Sequence, residues 1–171
     1  MNASVLTQVA PAIRRMKLLL IIAAVAIGID QVSKRLIEAS MELYESIPLI
    51  GHWFGLTRTM NTGAAFSLFQ NGGMIFIVIA AVVTGMILYY GPRLPEGDRA
   101  SRIALGLQLG GALGNVIDRL RQGYVTDFLH LKIPEIGFDW PVSNFADVFI
   151  VSGVIVLIVL SLRGQGALAE R

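Results

Sequence analysis

The strongest constraint on the fold is a series of apolar runs, each long enough to cross a lipid bilayer as a helix. About 20 helical residues span the hydrocarbon core of a membrane. Hydrophobic residues make up 54% of the chain and charged residues only 15%, with a mean hydropathy of +0.66, which favours lipid over water as the surrounding solvent. We therefore predict a membrane α-helical protein that forms a single domain over residues 1–171, with four transmembrane helices. The predicted spans are approximately residues 16–38, 74–91, 102–121 and 146–163.

The basic residues flank these runs unevenly. Clusters precede the first run, fill the link between the second and third, and follow the fourth; they are Arg14, Arg15, Lys17, Arg93, Arg99, Arg102 and Arg163. The positive-inside rule then places both termini and that link in the cytoplasm, and turns residues 41–73 and 124–143 outward. Because topology accounts for these basic residues, nucleic acid is not an expected partner.

The two outward segments have the composition of strands and turns. In the first, β-prone runs at 46–50, 54–59 and 64–69 are separated by glycine-containing turns, which predicts a small extracytoplasmic β-sheet cradle. The second suits a strand or loop followed by an interfacial loop or helix, anchored by Trp140.

Ionisable residues near membrane depth are costly, so each calls for a partner or a function. Asp30 and Lys34 are four residues apart on one helical face, with the acid before the base, which is the favourable order for an ion pair. A structural pair is the favoured interpretation of these two residues.

The third run combines a glycine repeat with polar residues. Gly106, Gly110 and Gly114 recur every four residues, a pattern that lets another helix approach closely in lipid. The polar residues that follow share one side of the helix and are predicted to face the bundle; they are Asn115, Asp118 and Arg119. An Asp118–Arg119 network that holds the bundle together and a direct catalytic role both remain open.

Two further carboxylates lie at the predicted outer boundary. Asp127 sits in a strand-like stretch with apolar neighbours, and Asp147 opens the fourth run one helical turn after Asn144. Taken alone, Asn144 would cap the helix and Asp147 would complement its dipole. Taken together, two close carboxylates share a proton and so supply an acid and a base for peptide hydrolysis. Spacing does not decide whether Asp118 or Asp127 is the partner of Asp147.

The sequence lacks the residues that thiol, serine and zinc hydrolases require. The absence of cysteine excludes a thiol nucleophile and cysteine-ligated metals, and neither a Gly-x-Ser-x-Gly elbow nor a His-Glu-x-x-His motif occurs. No metal or other cofactor is expected.

A small ion or proton transporter could use the same carboxylates, but the inverted repeats typical of that class are missing. A non-catalytic assembly subunit, packing through the glycine face, is a second alternative.

Five motifs in order resemble the bacterial lipoprotein signal peptidases, also called signal peptidase II, from about residue 16 to 162. They are Asp30-Gln31-Val32-Ser33-Lys34, Asn61-Thr62-Gly63-Ala64-Ala65-Phe66, the segment from Gly110 to Arg119, Val125-Thr126-Asp127-Phe128 and Asn144-Phe145-Ala146-Asp147. The resemblance implies a metal-free membrane aspartic endopeptidase that removes the signal peptide from diacylglyceryl-modified prolipoproteins, cleaving before the lipidated cysteine. Its partners would be that substrate and membrane lipid, and it would act as a monomer in the bacterial cytoplasmic (inner) membrane.

The resemblance also implies a role for each site residue. Asp127 and Asp147 would be the catalytic pair, near the outer face of the membrane. Substrate binding would fall to Asn61, Asn115, Arg119 and Asn144. Supporting positions would be Asp30, Lys34, Gly63, Ala64 and Asp118.

Overall fold

The computed structural model describes residues 3–63 and 72–169, which form four α-helices and one small sheet. The helices are α1 (Ala3–Ser40), α2 (Gly72–Tyr90), α3 (Arg99–Gln122) and α4 (Phe145–Ala169). The strands are β1 (Ser46–Ile50), β2 (Phe54–Asn61), β3 (Val125–Ile133) and β4 (Phe138–Asp139). Short 3-10 turns cover Gly91–Arg93 and Pro134–Ile136. The predicted supporting residue Ala64 and the predicted strand at 64–69 lie outside the described residues.

Three of these helices are long and apolar enough to cross a membrane: Met16–Ser40 in α1, Gly73–Arg93 around α2 and Phe145–Arg163 in α4. They match the predicted spans at 16–38, 74–91 and 146–163. The predicted span at 102–121 does form helix α3, but this helix does not belong to that apolar set. The reason lies in its polar residues, since α3 carries Asn115, Asp118 and Arg119 and packs against the other three helices.

The glycines of α3 let its backbone pack closely against α1 and α4. A Cβ atom at Gly110 would lie 2.6 Å from the Ala26 side chain of α1, and one at Gly114 would lie 2.5 Å from Asp30 Oδ2. Gly111 faces the other way, against the backbone of Ala146 in α4. The prediction of close helix packing along this face is confirmed.

The sheet is antiparallel throughout, with strand order β1-β2-β3-β4. Strand β1 has the predicted bounds, whereas β2 runs past the predicted residue 59 because Asn61 pairs with Val125 of β3. The segment predicted as a strand or loop after residue 124 begins with the nine-residue strand β3. Phe128 of β3 packs with Ile37 and Met41 at the end of α1, which fixes the sheet to the helical bundle.

Candidate active site

Asp127 lies in β3, just after the chain reverses at the end of α3. Gly123 makes that reversal in the left-handed conformation, with φ of 82°, which glycine adopts without strain. In β3 the carboxylate is 2% exposed and lies opposite Thr59 of β2. Its Oδ2 accepts a hydrogen bond of 2.9 Å from Asn61 Nδ2, and its Oδ1 accepts one of 2.5 Å from Asn144 Nδ2.

Asn61 is oriented by its own backbone turn. The backbone N–H of Gly63 donates to Asn61 Oδ1 at 2.9 Å, which leaves the Nδ2 amide directed at Asp127. Gly63 is buried and has φ of 80°, a conformation that disfavours any residue with a Cβ atom. The predicted supporting position Gly63 therefore shapes the turn that carries Asn61.

Asp147 lies in the first turn of α4 and forms a reciprocal cap with Asn144. The backbone N–H of Asp147 donates to Asn144 Oδ1 at 3.1 Å, and the backbone N–H of Asn144 donates to Asp147 Oδ2 at 3.3 Å. This is a capping box, and it fixes both side chains at the start of the helix. The capping interpretation drawn from the sequence is confirmed, and Asn144 binds Asp127 at the same time.

Asn115 joins the second carboxylate to the same series of contacts. Its Nδ2 donates to Asp147 Oδ1 at 2.9 Å, while its Oδ1 accepts from Asn144 Nδ2 at 3.3 Å. The side chains Asp127, Asn144, Asn115 and Asp147 thus form one hydrogen-bonded series with a carboxylate at each end. We call it the carboxylate–amide series.

Burial raises the pKa of Asp127 to about 6. Desolvation of the carboxylate is the main cause, and the nearby charge of Asp147 acts in the same direction. The hydrogen bonds from Asn61 and Asn144 favour the charged form and limit the rise. A pKa near 6 lets Asp127 both give and take a proton near neutral pH, as an acid–base group in peptide hydrolysis must.

A cavity of about 470 Å³ opens beside the series, between α2, α3 and α4. Asn61, Asn115, Arg119 and Asp147 line its polar part, and the remainder is lined by apolar side chains of α2, α3 and α4 together with Gln108 of α3. The Arg119 guanidinium lies over the ring of Phe76, 4.8 Å from its centre. The cavity therefore combines a polar site with an apolar channel between two candidate membrane spans.

A buried ionic network lies behind the series, between α1 and α3. Lys34 Nζ is 2.9 Å from Asp30 Oδ2 and 2.9 Å from Asp118 Oδ2, and it also donates to Asn115 Oδ1 at 2.9 Å. The predicted Asp30–Lys34 pair is confirmed. Asp118 is held by Lys34 and by the Gln31 amide at 2.9 Å, so it belongs to the contact between α1 and α3.

The contacts that Gln31 and Glu38 make beside the site were not predicted from the sequence. Gln31 lies within a motif, but its amide bridge to Asp118 and to the Gly114 carbonyl has no local signature. Glu38 accepts a hydrogen bond of 2.6 Å from Thr126 Oγ1 and so ties β3 to α1 next to Asp127. One signal was available, because Glu38 continues the four-residue spacing of Asp30 and Lys34 on α1.

The chain matches known proteins over most of its length. The family model described as signal peptidase (SPase) II covers residues 22–163. A lipoprotein signal peptidase of Moorella thermoacetica is 46% identical over 138 residues, which are 81% of this chain and 88% of that protein. A lipoprotein signal peptidase of Bacillus subtilis is 39% identical over 145 residues, or 85% and 93% of the two chains.

Solved structures agree with this match. A bacterial membrane enzyme determined in meso at 2.3 Å resolution superposes with a TM-score of 0.77 at 31% identity, covering 86% of this chain and 88% of that one. A second such structure, at 1.9 Å, gives a TM-score of 0.78 at the same identity, with 84% and 92% coverage. The protein belongs to the signal peptidase II family.

Proposed function

We propose that this protein removes signal peptides from diacylglyceryl-modified prolipoproteins, cleaving before the lipidated cysteine, with Asp127 and Asp147 as its catalytic pair. The observation that carries the assignment is the carboxylate–amide series, which ends at these two aspartates beside the cavity. The names of the relatives support the substrate class.

In this mechanism one carboxylate takes a proton from water while that water attacks the scissile carbonyl. The other carboxyl, in its neutral form, donates a hydrogen bond to the carbonyl oxygen. The proton taken from water then passes to the nitrogen of the leaving amine as the C–N bond breaks, which leaves a carboxyl group on the signal peptide. Burial favours the neutral form of Asp127, so we assign it the shared proton. Asp147 is then the partner that takes the proton from water; it accepts a hydrogen bond from Asn115 and lies in the first turn of α4.

The remaining polar residues bind the substrate. Asn61 and Asn115 line the cavity and offer amide groups to the extended peptide around the scissile bond, whereas Asn144 is fully buried and acts through Asp127, to which its amide donates. Arg119 lines the cavity and places a positive charge where negative charge develops on the carbonyl oxygen. We assign Asp30, Lys34 and Asp118 to support, because their side chains are fully buried in the ionic network.

The membrane arrangement follows from the same elements. We propose that α3 is a fourth span, enclosed by α1, α2 and α4, with both termini in the cytoplasm and the sheet outside the inner membrane. The catalytic pair then lies near the outer face, where water reaches it. An apolar signal helix would enter from lipid through the gap between α2 and α4, and the diacylglyceryl chains of the substrate would remain in the bilayer. The enzyme would act as a monomer.

The test is cleavage of a lipid-modified prolipoprotein in detergent by the wild type and by Asp127→Asn, Asp147→Asn and Asp118→Asn. Either of the first two substitutions should lower kcat by at least about a hundredfold, because each removes one acid–base group. The folded fraction of Asp118→Asn should retain cleavage. Full activity of Asp127→Asn or Asp147→Asn would refute the pair, and a loss confined to Asp118→Asn would move the assignment to Asp118.

A further inference from the structure

Gln108 of α3 is half-buried, and the fold does not use its amide nitrogen. Its Nε2 is inaccessible to solvent and has no hydrogen-bond partner within residues 16–63 and 73–163, the side chains that the structure describes. The residue lines the same cavity as Asp147 and Asn115. Nε2 lies on the Gly153 side, where a Cβ atom would be 3.3 Å away, and a half-turn of the terminal amide, which exchanges its oxygen and nitrogen, brings this unpartnered donor to a group that occupies the cavity.

The position of Gln108 is defined from both sides of the cavity. It precedes Asn115 by seven residues, which is two helical turns or about 10 Å along α3. On α4, a Cβ atom at Gly153 would lie 2.7 Å from Gln108 Cγ, and Gly153 follows Asp147 by six residues, or about 9 Å of helix. Gln108 therefore lies about 10 Å from the carboxylate–amide series, toward the cytoplasmic end of the proposed topology.

The surroundings of Gln108 are apolar. The cavity wall at this level is formed by Ile79 and Val83 of α2 and by Ile150 and Val154 of α4, all within the candidate membrane spans. A polar side chain in such a wall selects for a ligand that carries a polar group at that depth.

A signal peptide carries such a group at one defined point. Its apolar segment is helical in lipid, whereas the bond to be cut must be extended to reach the catalytic carboxylates. Where the helix ends, its last four carbonyl groups lack helical partners, and the membrane interior offers no water to replace them. A distance of about 10 Å corresponds to about three extended residues.

We propose that Gln108 Nε2 donates a hydrogen bond to a substrate main-chain carbonyl where the signal helix gives way to the extended segment, about three residues before the scissile bond. This inference rests on the proposed function and adds a substrate-binding residue to it. Gln108 stabilises the frayed end of the substrate helix and so favours the extended conformation that can be cleaved.

The test compares Gln108→Met with Thr84→Val in processing kinetics and thermal unfolding. Methionine keeps the length of glutamine but has no donor. Thr84 is the matched control, because its Oγ1 is also buried without a partner within the described side chains, yet Thr84 does not line the cavity. Gln108→Met should raise KM for the full prolipoprotein by roughly three- to tenfold, the effect of one hydrogen bond, without lowering Tm. Thr84→Val should leave KM unchanged.

A shortened substrate locates the contact. A lipid-modified peptide that begins two residues before the scissile bond lacks the proposed carbonyl, so wild type and Gln108→Met should cleave it with equal KM. Equal KM values for the full prolipoprotein, or the same rise in KM with the shortened peptide, would overturn the inference. A lower Tm for Gln108→Met would indicate a structural role and would also overturn it. If the wild type does not cleave the full prolipoprotein, the proposed function is refuted, and this inference with it.

Discussion

Lys34 Nζ lies 2.9 Å from Asp30 Oδ2 and 2.9 Å from Asp118 Oδ2, and all three side chains are fully buried. One positive charge thus faces two carboxylates between α1 and α3. Gln31 also donates to both carboxylates, and backbone N–H groups donate to each of them, that of Thr126 to Asp118 and that of Ala146 to Asp30 Oδ1. This network joins α1, α3 and the start of α4, which is the helix that carries Asp147.

We expect Lys34→Met to destabilise the protein by about 3–5 kcal/mol, because it leaves two buried carboxylates without their counter-charge. Thermal unfolding in detergent measures this loss. The matched control is Lys132→Met, since the side chain of Lys132 is 45% exposed and lies 3.9 Å from an exposed carboxylate oxygen of Asp139. An exposed pair of this kind contributes little, so the control should stay within about 1 kcal/mol of the wild type. Equal Tm values for the two variants would contradict the structural role of the network.

Gly110→Ala should also destabilise the bundle, by about 1–3 kcal/mol, because the added methyl group would lie 2.6 Å from the Ala26 side chain and 2.7 Å from the Ala23 carbonyl oxygen. Gly85→Ala is the control, since a Cβ atom at Gly85 in α2 would meet no atom of the described residues within 4 Å. The control should be neutral or slightly stabilising, because alanine is the better helix former. If both variants melt at the wild-type temperature, α1 and α3 are not in the close contact described.

The positions of the helices could be read from the sequence because each depends on local composition. Apolar runs predicted all four helices, three of which are long and apolar enough to cross a membrane, and the four-residue glycine repeat predicted close packing against another helix, which at Gly110 is α1. The predicted run at 102–121 does form α3, although its polar residues keep this helix out of the apolar set, since a helix packed against three others does not need an apolar surface facing lipid.

The partner of Asp147 could not be read from spacing, because it depends on contacts between distant segments. Asp118 and Asp127 are nine residues apart and both lie near the end of α3, so local pattern treats them alike. The turn at Gly123 separates them, sending Asp118 toward Lys34 and Asp127 toward Asn144. Strand pairing is equally non-local, which is why the extension of β2 to Asn61 was not predicted.

Asn144 combines two roles that substitution can separate. It caps α4 through Oδ1 and donates to Asp127 through Nδ2. Asn144→Ser retains a capping oxygen but has no amide group to reach Asp127, so it should keep Tm within a few degrees of the wild type while lowering kcat. Asn144→Ala should lower kcat and also lose about 1 kcal/mol of stability with the cap. Processing kinetics measure kcat and thermal unfolding measures Tm for the two variants. Full kcat in the serine variant would contradict this division of roles.

The pH dependence of stability tests the burial of Asp127. Its pKa is raised from 3.8 to about 6 in the folded protein, so between about pH 4 and 6 the folded state holds a proton that the unfolded state has lost. The stability from the neutral carboxyl is therefore present at low pH and is lost as pH rises through 6, by up to about 3 kcal/mol. The amide of Asp127→Asn cannot ionise, so this variant lacks this pH-dependent change in stability. Thermal unfolding in detergent from pH 4 to 7 should show the wild type losing stability relative to Asp127→Asn over this range. If the stabilities of the two proteins instead change in parallel with pH, the Asp127 carboxylate lies in a solvated environment.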